Sequence, residues 1–310
     1  MRVVFIGTGE IGVPVLRALQ DSNDYELIGV VTQPDKPVGR DQKLMPPPIK
    51  AALAGEKMSI LQPARIKDRQ SIEDIRALTP DVIVVMAYGQ ILPRDVLEIP
   101  KLACLNLHAS LLPRWRGAAP IQAAVASSDR ETGITVMYMS EGLDTGDILL
   151  QRKLDILPAE TGGSLHDRLR EIAPGALLEA LRLLADPNAP RVRQDNALAT
   201  VAPKLNREDG RIDWSERAEV IERKIRAFNP WPGAFTQIPS TEKTRKLKIF
   251  SAAIVDLSGK PGKILRSDRE IVVAAGDRAL SLGEVQLEGK RRMGAAEFAR
   301  GYPSALQIVT

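Results

Sequence analysis

Val3-Val4-Phe5-Ile6-Gly7-Thr8-Gly9-Glu10-Ile11-Gly12 opens the chain with a wholly apolar run that breaks into closely spaced glycines. The apolar spacing that follows, over 11–19, is helical. A strand buried on both faces reads as a continuous apolar run, and a glycine turn leading from it into a helix begins a β-α-β unit. The same alternation recurs downstream. Residues 27–31, 82–86, 102–107 and 134–139 are rich in Val, Ile and Leu and are expected as strands; 72–78 and 118–126 have helical spacing. Strands that alternate with helices predict an α/β fold with a doubly wound, mostly parallel sheet. A long helix is predicted over 164–184, capped by Thr161 or Ser164 and stopped by Asp186-Pro187.

The pattern then changes. Residues 187–196 are polar and proline-bearing, as a linker would be. Past Asn206 a helix is expected over 218–227, then short strands at 234–238, 247–254, 262–265, 271–274 and 279–285, separated by Gly and Asp turns. Several short strands in succession predict a small barrel or sandwich. The organisation read from the chain is a first domain over 1–187, a linker over 188–205 and a second domain over 206–310.

Composition narrows the class. The 310 residues are 44% hydrophobic and 26% charged, which is enough apolar material for packed cores and excludes a mostly disordered chain. The single cysteine, Cys104, excludes an intramolecular disulfide. With only two histidines, His108 and His166, it leaves no Cys/His cluster for zinc, and no metal is expected. The first residues lack a signal-peptide layout and no apolar run approaches a membrane span, so a cytoplasmic protein without a membrane partner is expected. Formal net charge is +4. Residues 206–310 hold 19 Lys and Arg against 14 Asp and Glu, so the positive excess belongs to the last third. Arg245-Lys246-Leu247-Lys248 and Lys290-Arg291-Arg292 concentrate it, which suits a solvated basic face or a phosphate-rich partner.

Gly7, Gly9 and Gly12 also fit the dinucleotide fingerprint G-x-G-x-x-G in its proper place after a strand. That motif needs an acidic residue at the end of the second strand to hold a ribose hydroxyl. The second strand here ends Val30-Val31-Thr32-Gln33-Pro34, and Asp35 comes late, close to two prolines. The glycines are therefore read as a tight turn, and a nicotinamide-dependent oxidoreductase is disfavoured.

Chemistry concentrates at Cys104-Leu105-Asn106-Leu107-His108-Ala109-Ser110-Leu111-Leu112-Pro113. Asn106 and His108 alternate with leucines, so they share one face at the end of a central strand, where open α/β sheets place their sites. Glu141-Gly142-Leu143-Asp144-Thr145-Gly146-Asp147 follows the next strand and supplies a glycine-rich loop and a carboxylate at the same edge. Asn106 can donate to an oxyanion, His108 can handle a proton near neutral pH, and Asp144 can orient the imidazole or relay a proton through water. No nucleophilic Ser or Cys has its own base, so direct attack of an amine on an acyl donor fits better than a covalent acyl-enzyme.

At these residues the chain resembles the folate-dependent formyltransferases, through Asn-x-His-x-Ser-Leu-Leu-Pro together with Gly-Leu-Asp-Thr-Gly-Asp. It is most similar to the branch that acts on initiator tRNA. That likeness extends over essentially the full length, through Thr32-Gln33-Pro34-Asp35-Lys36-Pro37-Val38-Gly39-Arg40, Lys43-Leu44-Met45-Pro46, Pro113-Arg114-Trp115-Arg116-Gly117 and Arg226-Ala227-Phe228-Asn229-Pro230-Trp231-Pro232. The resemblance implies a Rossmann-like domain that binds 10-formyltetrahydrofolate, a C-terminal OB-like β-barrel that helps hold tRNA, and formylation of the methionine α-amine of methionyl-initiator tRNA. It implies a monomer. It implies that Asn106, His108 and Asp144 are catalytic, and that Ser110, Leu111, Leu112, Pro113, Gln90, Ile91 and Leu92 contact the folate. Arg40 and Lys43 would lie on the loop that meets the tRNA acceptor arm. One departure stands out: the family usually opens Gly-Thr-Pro, an acidic residue and Phe, whereas this chain has Gly7-Thr8-Gly9-Glu10-Ile11. The residues themselves leave room for formyl transfer to a small amine and for a non-catalytic RNA-binding module.

Overall fold

In the computed structural model, which describes residues 1–39, 41–238, 244–267 and 270–302, the apolar runs of the first half form one seven-stranded sheet. Its strands are β1 (Arg2–Gly7), β2 (Glu26–Val31), β3 (Ile60–Leu61), β4 (Val82–Met86), β5 (Ala103–His108), β6 (Glu131–Tyr138) and β7 (Ile148–Asp155). Across the sheet they run 3-2-1-4-5-6-7. β3, β2, β1, β4 and β5 are parallel; β6 is antiparallel to β5, and β7 to β6. The order reverses at β1, so the crevice beyond the carboxyl ends of β1 and β4 is the topological switch point, with β5 alongside. β4 is buried at all five positions, as its unbroken Val-Ile-Val-Val-Met run requires.

The longer helices of this half are α1 (Val13–Gln20), α2 (Arg69–Ala77), α3 (Pro120–Ala126) and α4 (Gly162–Leu184); Pro48–Ala52 and Arg94–Leu97 form single turns. The helical reading of 11–19 is corrected at its start, where Glu10–Gly12 is a 3-10 turn. Its glycines serve packing. A Cβ at Gly7 would stand 2.6 Å from the Phe5 ring and 2.9 Å from Met86 O, and one at Gly12 would stand 3.1 Å from the Phe5 ring. A Cβ at Gly9 would make only an ordinary contact with Ala87, and Ile11 is buried. α4 starts from a reciprocal pair: Ser164 N donates to Thr161 Oγ1 at 3.1 Å and Thr161 N to Ser164 Oγ at 2.9 Å. Among the described residues no helix is long and apolar enough to cross a membrane.

The chain folds as two compact units. Met1–Pro120, Glu131–Asp155 and His166–Ala202 make the first; Ile121–Arg130, Ile156–Leu165 and the chain from Pro203 make the second. Most of the 188–205 segment, expected as a linker, thus belongs to the first unit. Val192 bridges Ile148, and Val201–Ala202 pairs in parallel with Arg116–Gly117.

The second unit contains α5 (Ala218–Ala227) and α6 (Ala295–Gly301). Its strands are β8 (Ala234–Ile238), β9 (Arg245–Ile249), β10 (Ala252–Val255), β11 (Ile264–Arg266), β12 (Ile271–Ala274), β13 (Ala279–Leu282), β14 (Glu284–Leu287) and β15 (Met293–Gly294). They form two antiparallel sheets, 8-9-14-15 and 10-13-12-11. The single runs expected over 247–254 and 279–285 are each bent between the two sheets. Pairing continues around the bend, where Phe250 N donates to Glu284 O and Gly283 N to Ser251 O. A Cβ at Gly283 would lie 2.4 Å from Ser251 Oγ, so a side chain there would push that hydroxyl off Glu284 N. The bends roll the sheets into an OB-like barrel around Leu247, Ile249, Val273, Leu280, Val285 and Phe298.

Candidate active site

Pleating sets Asn106 and His108 on one face of β5, and Thr135 of β6 is the register partner of His108. The loop after β6 swings Asp144 over them, with its backbone left-handed at φ +51°. For a non-glycine residue that conformation costs on the order of 1–3 kcal/mol and persists only where neighbours over-determine it. Asp144 Oδ2 accepts from Gly117 N at 2.8 Å and lies 3.6 Å from His108 Nδ1, while Oδ1 accepts a longer bond, 3.4 Å, from Asn106 Nδ2.

His108 is 6% exposed. Its Nε2 lies 2.8 Å from Trp115 O. A carbonyl only accepts, so Nε2 carries the ring hydrogen, and the lone pair of the neutral imidazole is on Nδ1. Nδ1 and Asp144 Oδ2 lie 3.6 Å apart, so a proton carried at Nδ1 faces the carboxylate.

The loop after His108 is held as firmly. Ser110 is fully buried, its hydroxyl donating to Arg114 O at 2.6 Å. Thr135 Oγ1 donates to Ser110 O and accepts from Leu112 N, and Gln151 Nε2 donates to Leu112 O. Leu112 is buried; Leu111 and Pro113 are partly open. Beyond β4, Tyr88 is buried and its hydroxyl is pushed up to about 12 by desolvation. The amide of Gln90 is occupied by the chain at 64–66, with Oε1 accepting from Ile66 N and Nε2 donating to Ala64 O. Leu92 is in the core, whereas Ile91 is 82% exposed. Of the seven residues expected to meet a folate, Ile91 is exposed, Gln90, Leu111 and Pro113 are partly open, and Leu92, Ser110 and Leu112 are buried.

Lys43 is exposed on the strand Lys43–Met45, which pairs with Lys36–Val38 in a hairpin beyond β2. Arg40 lies outside the described residues. Among the described residues no group of three or more His, Cys, Asp or Glu is placed to hold a metal ion.

Sequence reasoning passed over several members of this site. Trp115 O and Gly117 N are main-chain groups that no side-chain pattern announces. Arg116 and Gln194 are buried together, with the guanidinium donating to Gln194 Oε1 from Nε at 3.0 Å and from Nη2 at 2.8 Å. Gln194 lies in the polar stretch read as a linker, and no local signal marks it.

Comparison with known proteins matches residues 1–181 to the formyl transferase domain and 204–303 to the formyl transferase C-terminal domain. The chain belongs to the formyl transferase family. Its relatives include methionyl-tRNA formyltransferases. That of Geobacter sulfurreducens is 45% identical, over 97% of this chain and 94% of that protein. That of Moorella thermoacetica is 47% identical, over 98% of this chain and 97% of that protein. Among solved structures, the fold is shared with a methionyl-tRNA formyltransferase from Clostridium thermocellum at a TM-score of 0.56 and 20% identity, covering 82% of this chain and 93% of that one. It is shared with the sugar 3N-formyl transferase WlaRD at 0.65 and 17%, covering 94% and 99%. It is also shared with HypX from Aquifex aeolicus at 0.66 and 19%, covering 99% of this chain; this chain spans about half the length of HypX.

Proposed function

We propose that the chain transfers the formyl group of 10-formyltetrahydrofolate to the α-amine of methionyl-initiator tRNA. The observation that carries this is the nearly full-length identity to methionyl-tRNA formyltransferases, joined to a site with one amide donor, one base with its lone pair at Nδ1 and one carboxylate. The donor fits the residues present. Gly89 is left-handed, with nothing within 4 Å of where a Cβ would stand, and this leaves open space beyond β4. Ile91 offers an apolar surface to a flat ring system.

In this reading Asn106 Nδ2 donates to the formyl oxygen as negative charge develops there. His108 Nδ1 takes the proton of the attacking amine while Nε2 stays on Trp115 O, and the Asp144 carboxylate stabilises the imidazolium. The amine nitrogen bonds to the formyl carbon, the bond from that carbon to folate N10 breaks, and N10 gains a proton in place of the one that His108 took from the amine, which His108 then releases. No metal is called for. The basic second unit, the 36–45 hairpin and Lys43 suit the phosphates of a structured RNA. We take the first unit, extended to Ala202, as the transferase domain and the chain from Pro203 as the tRNA-holding domain. We place the enzyme in the cytoplasm as a monomer.

Formyl transfer to methionyl-initiator tRNA tests the proposal. Robust transfer that weakens steeply with salt is expected. Arg40→Ala is expected to raise KM for the tRNA about tenfold, the loss of one charge-assisted contact, and to leave kcat with a small amine acceptor unchanged. Absence of transfer to tRNA, or equal effects of Arg40→Ala on both acceptors, would overturn the assignment.

A further inference from the structure

We propose that Gln194 is a positioning residue for the Asp144 carboxylate, which makes the 190–202 segment part of the active site. This rests on the role given to Asp144 above. Gln194 is 5% exposed, and its amide is used at every hydrogen-bonding atom. Nε2 donates to Asp144 O at 2.9 Å and to Gly146 O at 2.7 Å, while Oε1 accepts both bonds from Arg116. Guanidinium groups only donate and carbonyls only accept, so the amide has one possible orientation.

The consequence falls on Asp144. Its carbonyl is held by Gln194 and its carboxylate by Gly117 N, so both ends of the residue are referred to the adjacent pair Arg116 and Gly117. That pair is itself fixed by parallel pairing to Val201–Ala202 and by a bond from Arg116 Nη2 to Asn196 Oδ1 at 2.9 Å. A Cβ at Gly117 would stand 2.5 Å from Ala202 O, so the two stretches approach as closely as a glycine allows. Asp144 and Trp115 are both left-handed, and both meet this segment, Asp144 through Gln194 and Trp115 by donating from its N–H to Thr200 Oγ1 at 2.9 Å. Only an amide performs the task at 194. A glutamate would pair with Arg116 but turn an oxygen toward two carbonyls, and a methionine would fill the space and hold neither side.

The test uses Gln194→Met, Gln194→Glu and Asp144→Asn in the full-length enzyme. Gln194→Met is expected to lower kcat by roughly 10- to 100-fold, the scale of a catalytic group displaced by about 1 Å, with KM for both substrates within about twofold. Gln194→Glu keeps the Arg116 partner and is expected to fold normally with a comparable loss of kcat. The chain has only two histidines, so the imidazole 15N spectrum gives a direct signature: the His108 signals move in both Gln194 variants while those of His166 stay in place. In the Asp144→Asn background, Gln194→Met is expected to add no further loss, because it acts through the group already removed. Unchanged kcat in the folded Gln194 variants, a static His108 spectrum or multiplying losses would overturn the inference while leaving the site intact. Unchanged kcat in Asp144→Asn would instead overturn the role of Asp144 and the inference with it.

Discussion

His108→Ala is expected to lower kcat for formyl transfer by about 10²- to 10⁴-fold, the usual contribution of a positioned general base, with KM for tRNA and for the folate within about twofold. The imidazole has no other evident task in binding. It is 6% exposed, is held at Nε2 by Trp115 O, and faces Asp144 with Nδ1. Without it the attacking amine has no acceptor for its proton other than water or the carboxylate. The variant also removes the bond between His108 Nε2 and Trp115 O, a contribution of about 0.5–1.5 kcal/mol, so the rate is to be read at a temperature where the folded fraction is verified. Steady-state kinetics with both substrates varied checks this; a loss of kcat under threefold would remove His108 from the chemistry.

Phe298→Ala is expected to destabilise the second unit by about 3–5 kcal/mol, the range for emptying a fully buried aromatic site. Phe298 is completely buried on α6, belongs to the cluster that contains Leu247, Leu280 and Val285, and stacks on Tyr302 with ring centroids 5.0 Å apart. The loss is comparable to the whole margin of many domains. Urea unfolding followed by tryptophan fluorescence, to which Trp214 of the same cluster contributes, reads it. A change below 1 kcal/mol would mean that the barrel closes over the cavity.

What was legible in the sequence follows from burial. β1, β4 and β5 are covered on both faces, so their composition alone announces them, and β5 carries Asn106 and His108 to an edge where their polarity stands out. β7 escaped notice because it is an edge strand whose later residues, including Arg152 and Lys153, are exposed, so no apolar period marks it. The breaks at Ser251 and Gly283 interrupt otherwise regular strand patterns for a steric reason, and such reasons appear only once the partner strand is in place. Gln90 and Leu92 lie in a motif associated with ligand, yet their side chains serve the loop at 64–66 and the core. Gln194 is the reverse case. Its importance comes from three partners distant in sequence, Arg116, Asp144 and Gly146, and nothing in its own neighbourhood distinguishes it from a solvated linker residue.

The parallel pairing of Val201–Ala202 with Arg116–Gly117 bears on how this chemistry can be divided or transplanted. A fragment ending where the long helix ends would retain Asn106, His108 and Asp144 but lack the strip of chain that braces them. In the reading proposed here, the reactive groups and their brace together extend to Ala202. In a fused or rearranged gene, a breakpoint after that residue is expected to keep the proposed reactive groups with their brace, and one at the end of the long helix to keep the groups without it.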